Sequence, residues 1–167
     1  LTRAAVLCPI ISHNGQDHIL FVMRPDDAQT HPGQMAFPGG MHANQETPLE
    51  TALRECLEEV GAPNEAAIPL GELQPRESSS QVHVHCVVAR VKAFDLRPDP
   101  REVARVVYIP LTELLNESRW QDKPAPIASP GQQPATSPHF EFGSDLLWGL
   151  TASFVRELIE LLPRNLG

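Results

Sequence analysis

Apolar and polar positions along the chain fall into short runs separated by turn residues. Residues 4–11 (AAVLCPII) and 18–23 (HILFVM) are apolar and flank SHNGQD, which is rich in turn formers, so the pattern predicts two strands and a connection. RPDDAQTHPG follows as loop and QMAF as a short strand. Residues 82–91 (VHVHCVVARV) and 103–110 (VARVVYIP) are β-branched and apolar and predict two more strands, the second ended by Pro110. LTELL at 111–115 predicts a helical turn. Residues 121–138 carry five prolines, which predicts a long irregular loop. Residues 144–163 place Leu146, Leu147, Leu150, Phe154, Leu158 and Leu161 at helical spacing, predicting a last helix stopped by Pro163.

Strands outnumber helices and their order is mixed, so the predicted class is α+β, with helices packed on a mixed sheet. The length, 167 residues, predicts one domain spanning 1–167 with room for a core. No apolar run approaches the ~20 residues of a membrane span. The opening LTRAAVLCPII lacks a small-residue cleavage site and reads as a first strand rather than a signal peptide. A start at Leu1 rather than Met implies residues ahead of it.

Charge narrows the function. The formal net charge is -8, which disfavours nonspecific nucleic-acid binding. A small anionic substrate stays open if a metal supplies positive charge locally. Cys8, Cys56 and Cys86 are scattered without a C-x-x-C pair, arguing against a zinc cluster or disulfide framework and for a reducing, cytoplasmic setting.

The most informative segment is residues 47–60. TPLE at 47–50 reads as a capping box with Pro48 at the first helical position. Leu49, Leu53, Cys56 and Val60 share one helical face, and Glu55, Glu58 and Glu59 fall roughly opposite. Carboxylates at spacings of three and four repel unless a cation sits among them, and they lie near the end where the helix dipole disfavours negative charge. A solvated acidic face is the plain alternative. Clustered hard oxygen ligands instead suit Mg²⁺ or Mn²⁺.

Gly40, Glu46 and Arg54-Glu55-Cys56-Leu57-Glu58-Glu59-Val60-Gly61-Ala62 resemble the Nudix box, G-x5-E-x7-R-E-U-x-E-E-x-G-U, with small Cys56 and Ala62 at its bulky aliphatic positions. The resemblance implies an α/β/α sandwich with the box as loop-helix-loop, and hydrolysis of a nucleoside diphosphate derivative. It implies metal ligation by Glu55 and Glu59 with Glu58 adjoining, and Arg54 orienting the carboxylates. Gly39 and Gly40 would let backbone approach phosphate or a metal ligand. Either Glu58 or Glu102 could be the base, and the sequence does not choose.

The segment before the box, with Arg24, His31, Gly33, Gln34 and Phe37 to Gly40, resembles the coenzyme A pyrophosphatase branch. It implies cleavage of coenzyme A to 3′,5′-ADP and 4′-phosphopantetheine, with Arg24, His31, Gln34, Gly39 and Gly40 binding substrate. LLWGLTASFVREL resembles that branch's last helix. The chain departs from the pattern at Ala28 and Gln29, where Leu-Arg is frequent, and at Met41, His42 and Ala43, where an acidic residue is common. ADP-ribose, NADH or another nucleotide as substrate, and a non-catalytic nucleotide-binding module, are the alternatives. The expected partners are a small nucleotide and, at most, a second copy in a homodimer, with no nucleic acid or membrane. Arg76 is a further candidate for substrate contact. His83 and His85 read as a hydrogen-bonded or solvent-facing pair, and Trp148 as core rather than a base-stacking residue.

Overall fold

The computed structural model describes residues 2–29, 31–126, 131 and 133–162. Strands β1 (Arg3–His13) and β2 (Gln16–Met23) form a hairpin. Its turn is Asn14-Gly15, both at positive φ, 52° and 77°, the combination that matches strand twist in a two-residue turn. The strands β3 (Met35–Ala36) and β4 (Gly39–Met41) are short and lead into α1 (Pro48–Val60). Next come β5 (Ala67–Glu72), β6 (Arg76–Glu77), β7 (His83–Val91), β8 (Arg105–Pro110) and the single turn α2 (Leu111–Leu114). The chain closes with β9 (Trp120–Pro124), β10 (Thr136–Phe142), β11 (Asp145–Leu147) and α3 (Gly149–Leu161).

The main sheet runs β3-β2-β1-β7-β5. Only β1 and β7 pair in parallel, from Arg3↔His83 to Ile11↔Val91, among the described strands. β8 lies along β2, and β4 takes the edge of β1 that β2 leaves open. Side chains alternate between the faces. Leu7, Leu20, Val22 and Val87 pack with Ala52, Cys56 and Val60 of α1. Cys8, Ile19, Phe21 and Cys86 pack with Phe154, Val155 and Leu158 of α3. The result is the helix–sheet–helix sandwich expected. A second sheet, β11-β10-β9, adds Phe140 and Leu147 to the α3-side core.

Two expectations are corrected. Residues 121–138 are not irregular throughout: β9 and the start of β10 pair as a hairpin. Ala125 N donates to Ala135 O (2.9 Å), so hydrogen-bonded pairs recur every second residue from there. Pro124 and Pro138 both fall between them, where the missing N–H costs no bond. Residues 127–130 and 132 lie outside the described residues. The last helix starts at Gly149, not 144. Leu146 and Leu147 belong to β11 and face opposite sides, with Leu147 buried against Phe140. Gly149 has a φ of 70° and separates strand from helix. At the far end Leu161 is 67% exposed, and Pro163 lies outside the described residues.

Candidate active site

The site is built around α1. Thr47 caps it: Glu50 N donates to the Thr47 hydroxyl (3.2 Å) and Thr47 N donates back to the Glu50 carboxylate (3.0 Å), two terminal donors satisfied reciprocally. Gly61 ends it at φ 84°, with its N–H donating to Leu57 O. The carbonyls left over at this end are taken by a strap. Asp99 N donates to Glu59 O (2.9 Å) and Arg97 N to Val60 O (2.8 Å). The strap then turns: Glu102 N and Val103 N donate to Asp99 O (3.0 and 2.8 Å), and Ala104 N donates to Met23 O (2.8 Å). Capping the helix therefore brings Glu102 beside it.

Ligand oxygens of Glu55, Glu59 and Glu102 lie within 4.8 Å of one another. Glu59 is buried, at 2% exposure, rather than facing solvent opposite the apolar stripe. One of its oxygens accepts from Gly39 N (3.1 Å). Burial pushes its carboxyl up to about 9, the Gly39 bond opposes this, and the charges of Glu55 and Glu102 add to it. Glu102 is also raised, by burial first and then by Glu55, and the nearby Arg24 charge opposes the rise.

The glycines before the helix are needed for different reasons. A Cβ on Gly40 would sit 2.6 Å from the Glu55 carboxylate, and one on Gly39 would sit 2.5 Å from Ala5 O and 2.6 Å from the Val6 Cα. Arg54 organises the other side. Its Nε and Nη2 hold both oxygens of Glu46 (2.7 and 3.0 Å), Nη1 reaches Glu55 (3.0 Å), and Nη2 donates to Met41 O (3.1 Å). Glu46 also accepts from Ala43 N and the Thr51 hydroxyl. The Arg54 hydrogen bonds, first among these contacts, hold the Glu46 carboxyl down to about 2.

The remaining expected residues are placed as follows. Glu58 is half-exposed, stands 3.4 Å from Arg54 Nη1 and is not among the three converging carboxylates. Arg24 follows β2, and its N–H donates to Gln34 O (2.9 Å). Gln34 is half-buried, and His31 is exposed in a turn with φ 50°. Arg76 pairs with Glu157 (3.3 Å) over the Phe154 ring, on the α3 side. His83 and His85 stand beside Glu77 and Glu72 (2.6 and 3.7 Å). Trp148 is half-buried next to His139, ring centroids 6.3 Å apart. Sequence reading gave no role to Glu46 beyond its place in the box. Its signal was its place just ahead of the helix cap, eight residues before Arg54.

Three carboxylates facing one point are mutually repulsive, and a divalent cation is the group that such a set of hard oxygens fits. A Nudix hydrolase is the class of protein this fold and site define. The NUDIX domain family model matches residues 1–129, and the chain belongs to that family. It is 36% identical over 160 residues, 95% of its length and 78% of the relative's, to the uncharacterised Nudix hydrolase NudL of Yersinia pestis (strain Pestoides F). In fold it is similar to the Caenorhabditis elegans Ap4A hydrolase binary complex, with a TM-score of 0.58 at 18% identity, covering 69% of this chain and 84% of that one. It is equally similar to DR0079 from Deinococcus radiodurans, with a TM-score of 0.58 at 16% identity, covering 93% and 81%.

Proposed function

We propose that this Nudix hydrolase cleaves the pyrophosphate of coenzyme A or its derivatives, with Mg²⁺ or Mn²⁺ held chiefly by Glu55 and Glu59. The observation that carries the metal-dependent hydrolysis is the meeting of Glu55, Glu59 and Glu102 against Gly39 and Gly40. The coenzyme A assignment rests on Arg24, His31, Gly33 and Gln34 ahead of the box and on the similarity to NudL along most of the chain.

When bound, the cation neutralises pyrophosphate charge and makes an attacking water more acidic. The chain's own residues do the rest. Arg54 fixes Glu55 by a charge-assisted hydrogen bond. Gly39 N orients Glu59. Glu102 faces the same point from the strap and is placed to take the proton from water, whereas Glu58 is held back against Arg54. Arg24 and His31 supply positive charge and donors for the rest of the nucleotide. The protein's setting is read as cytoplasmic, in keeping with its unpaired cysteines.

The test is product analysis by mass spectrometry with coenzyme A, ADP-ribose, NADH and a dinucleoside polyphosphate offered separately with Mg²⁺ or Mn²⁺. Release of 3′,5′-ADP from coenzyme A, far faster than turnover of the others, is expected. Preference for another nucleotide overturns the substrate and keeps the reaction. Glu55→Gln is expected to abolish turnover without lowering the melting temperature. Glu102→Gln should lose roughly 10²–10⁴-fold in kcat and Glu58→Gln less than tenfold. The reverse order would make Glu58 the base.

A further inference from the structure

Glu102 is exposed on its strap, so packing does not fix its side chain. The strap is anchored on either side of it, by Phe94 and Leu96 against the α1-side core and by Val103, which is buried. Between these anchors the chain must turn sharply to bring a carboxylate to Glu55 and Glu59. Residues 99–102 read Asp-Pro-Arg-Glu, which suits a tight four-residue turn. Asp comes first, with a short side chain that bonds its own backbone, and Pro second, with a ring that presets φ. Glu102 is the fourth residue, so its place follows from closure of the turn.

Asp99 closes the turn with every polar group it has. Its carbonyl accepts from Glu102 N (3.0 Å) and Val103 N (2.8 Å), and its N–H donates to Glu59 O (2.9 Å). Its carboxylate accepts from Arg101 N (3.0 Å), the bond of an Asx turn. The same carboxylate accepts from Nε and Nη2 of Arg101 (3.2 and 3.1 Å). The Arg101 side chain is 87% exposed, so solvent screens the ion pair. The bond to Arg101 N restrains the backbone itself. Asp99 thus joins the main chain of Glu59 to the main chain of Glu102.

We infer that Asp99 is a positioning residue for Glu102: its side-chain oxygen locks the 99–102 turn and so holds the Glu102 carboxylate at the point that Glu55 and Glu59 face. The inference deepens the hydrolysis proposed above and rests on Glu102 as its base. Asp99 acts only through Glu102 in this role. A loosened turn leaves Glu55, Glu59 and substrate binding in place, so the loss falls on kcat rather than KM.

The test compares Asp99→Ala, Asp99→Asn and Asp99→Glu, each alone and combined with Glu102→Gln. Asn keeps a side-chain oxygen for Arg101 N and loses the charge. Glu keeps the charge and sets its oxygens one methylene too far out to close the turn. At saturating Mn²⁺, Asp99→Ala and Asp99→Glu are expected to lower kcat by roughly 10–10²-fold, the effect of a misplaced catalytic group, with KM within about twofold. Asp99→Asn should stay within about threefold of wild type. On top of Glu102→Gln, none of the three should cost more. A second readout needs no turnover. Amide hydrogen exchange at Glu102 and Val103 should quicken in Asp99→Ala and Asp99→Glu and keep the wild-type rate in Asp99→Asn. If Asp99→Ala does not fold, the Asn and Glu variants decide alone. Unchanged exchange in the Ala and Glu variants, an Asn variant as impaired as they are, or an undiminished further loss in an impaired Glu102→Gln background overturns the positioning role. If Glu102→Gln itself turns over near the wild-type rate while exchange quickens as expected, Glu102 is not the base and Asp99 still holds it in place.

Discussion

Gly39 and Gly40 are neighbours with opposite consequences. A methyl on Gly39 runs into backbone, Ala5 O and the Val6 Cα, neither of which can turn aside. Overpacking of that kind costs about 1–3 kcal/mol or more, so Gly39→Ala should lower the melting temperature by several degrees. A methyl on Gly40 runs into the end of the Glu55 side chain, which can swing away. Gly40→Ala should therefore keep the melting temperature and weaken Mn²⁺ binding at least tenfold by titration. If both variants melt alike, the division is wrong. Glu59 gives the pH signature. Its folded carboxyl is raised to about 9 from an ordinary value of 4.5, so the folded protein binds the extra proton. Its contribution to stability is present below 4.5 and is lost as pH rises from 4.5 to 9. Without metal, wild-type melting temperature should fall across that window relative to Glu59→Gln, which cannot ionise. Parallel pH curves for the two would refute the assignment.

At the scale of elements, α1 was the most legible part of the molecule. Its start, its end and its apolar face are local: Thr47, Pro48 and Glu50 at one end, Gly61 at the other, Cys56 and Val60 between. What could not be read there was the fate of Glu59, because its burial comes from Gly39, twenty residues earlier in the chain, and from the strap. Glu102 was legible only as a loose candidate, since the Asp99 and Ala104 bonds that carry it to the helix join distant segments. The small sheet was misread for a different reason. Prolines forbid a strand only where an N–H is needed, and the register that spares Pro124 and Pro138 is a pairing, invisible in composition. That sheet is fastened to β8 by the Arg105–Asp145 pair, whose Nη1–Oδ2 contact is 3.0 Å. Such a half-exposed pair contributes about 1 kcal/mol. Asp145→Ala should speed amide hydrogen exchange in β9 to β11 about fivefold, leaving α1 and β7 at the wild-type rate. Equal acceleration everywhere would mean that the small sheet does not open separately.

At the scale of the whole molecule, the central β1–β7 pair divides the interior in two. The alternating pattern of β1, β2 and β7 was visible as apolar runs, but runs apolar on both faces do not say which residue meets which helix. Cys8 and Cys86 lie on the α3 side and Cys56 on the α1 side. All three thiols are buried. Burial raises each well above the ordinary thiol range, Cys56 to about 12, so none reacts while the native packing holds. The interior thus contains its own chemical clocks, one set per layer. With a thiol reagent and variants retaining a single cysteine, the rate at Cys56 times the opening of the α1 half, and the rate at Cys86 times the other. Mn²⁺ should slow Cys56 more than Cys86 if the layers breathe independently, and both alike if the molecule opens only as a whole.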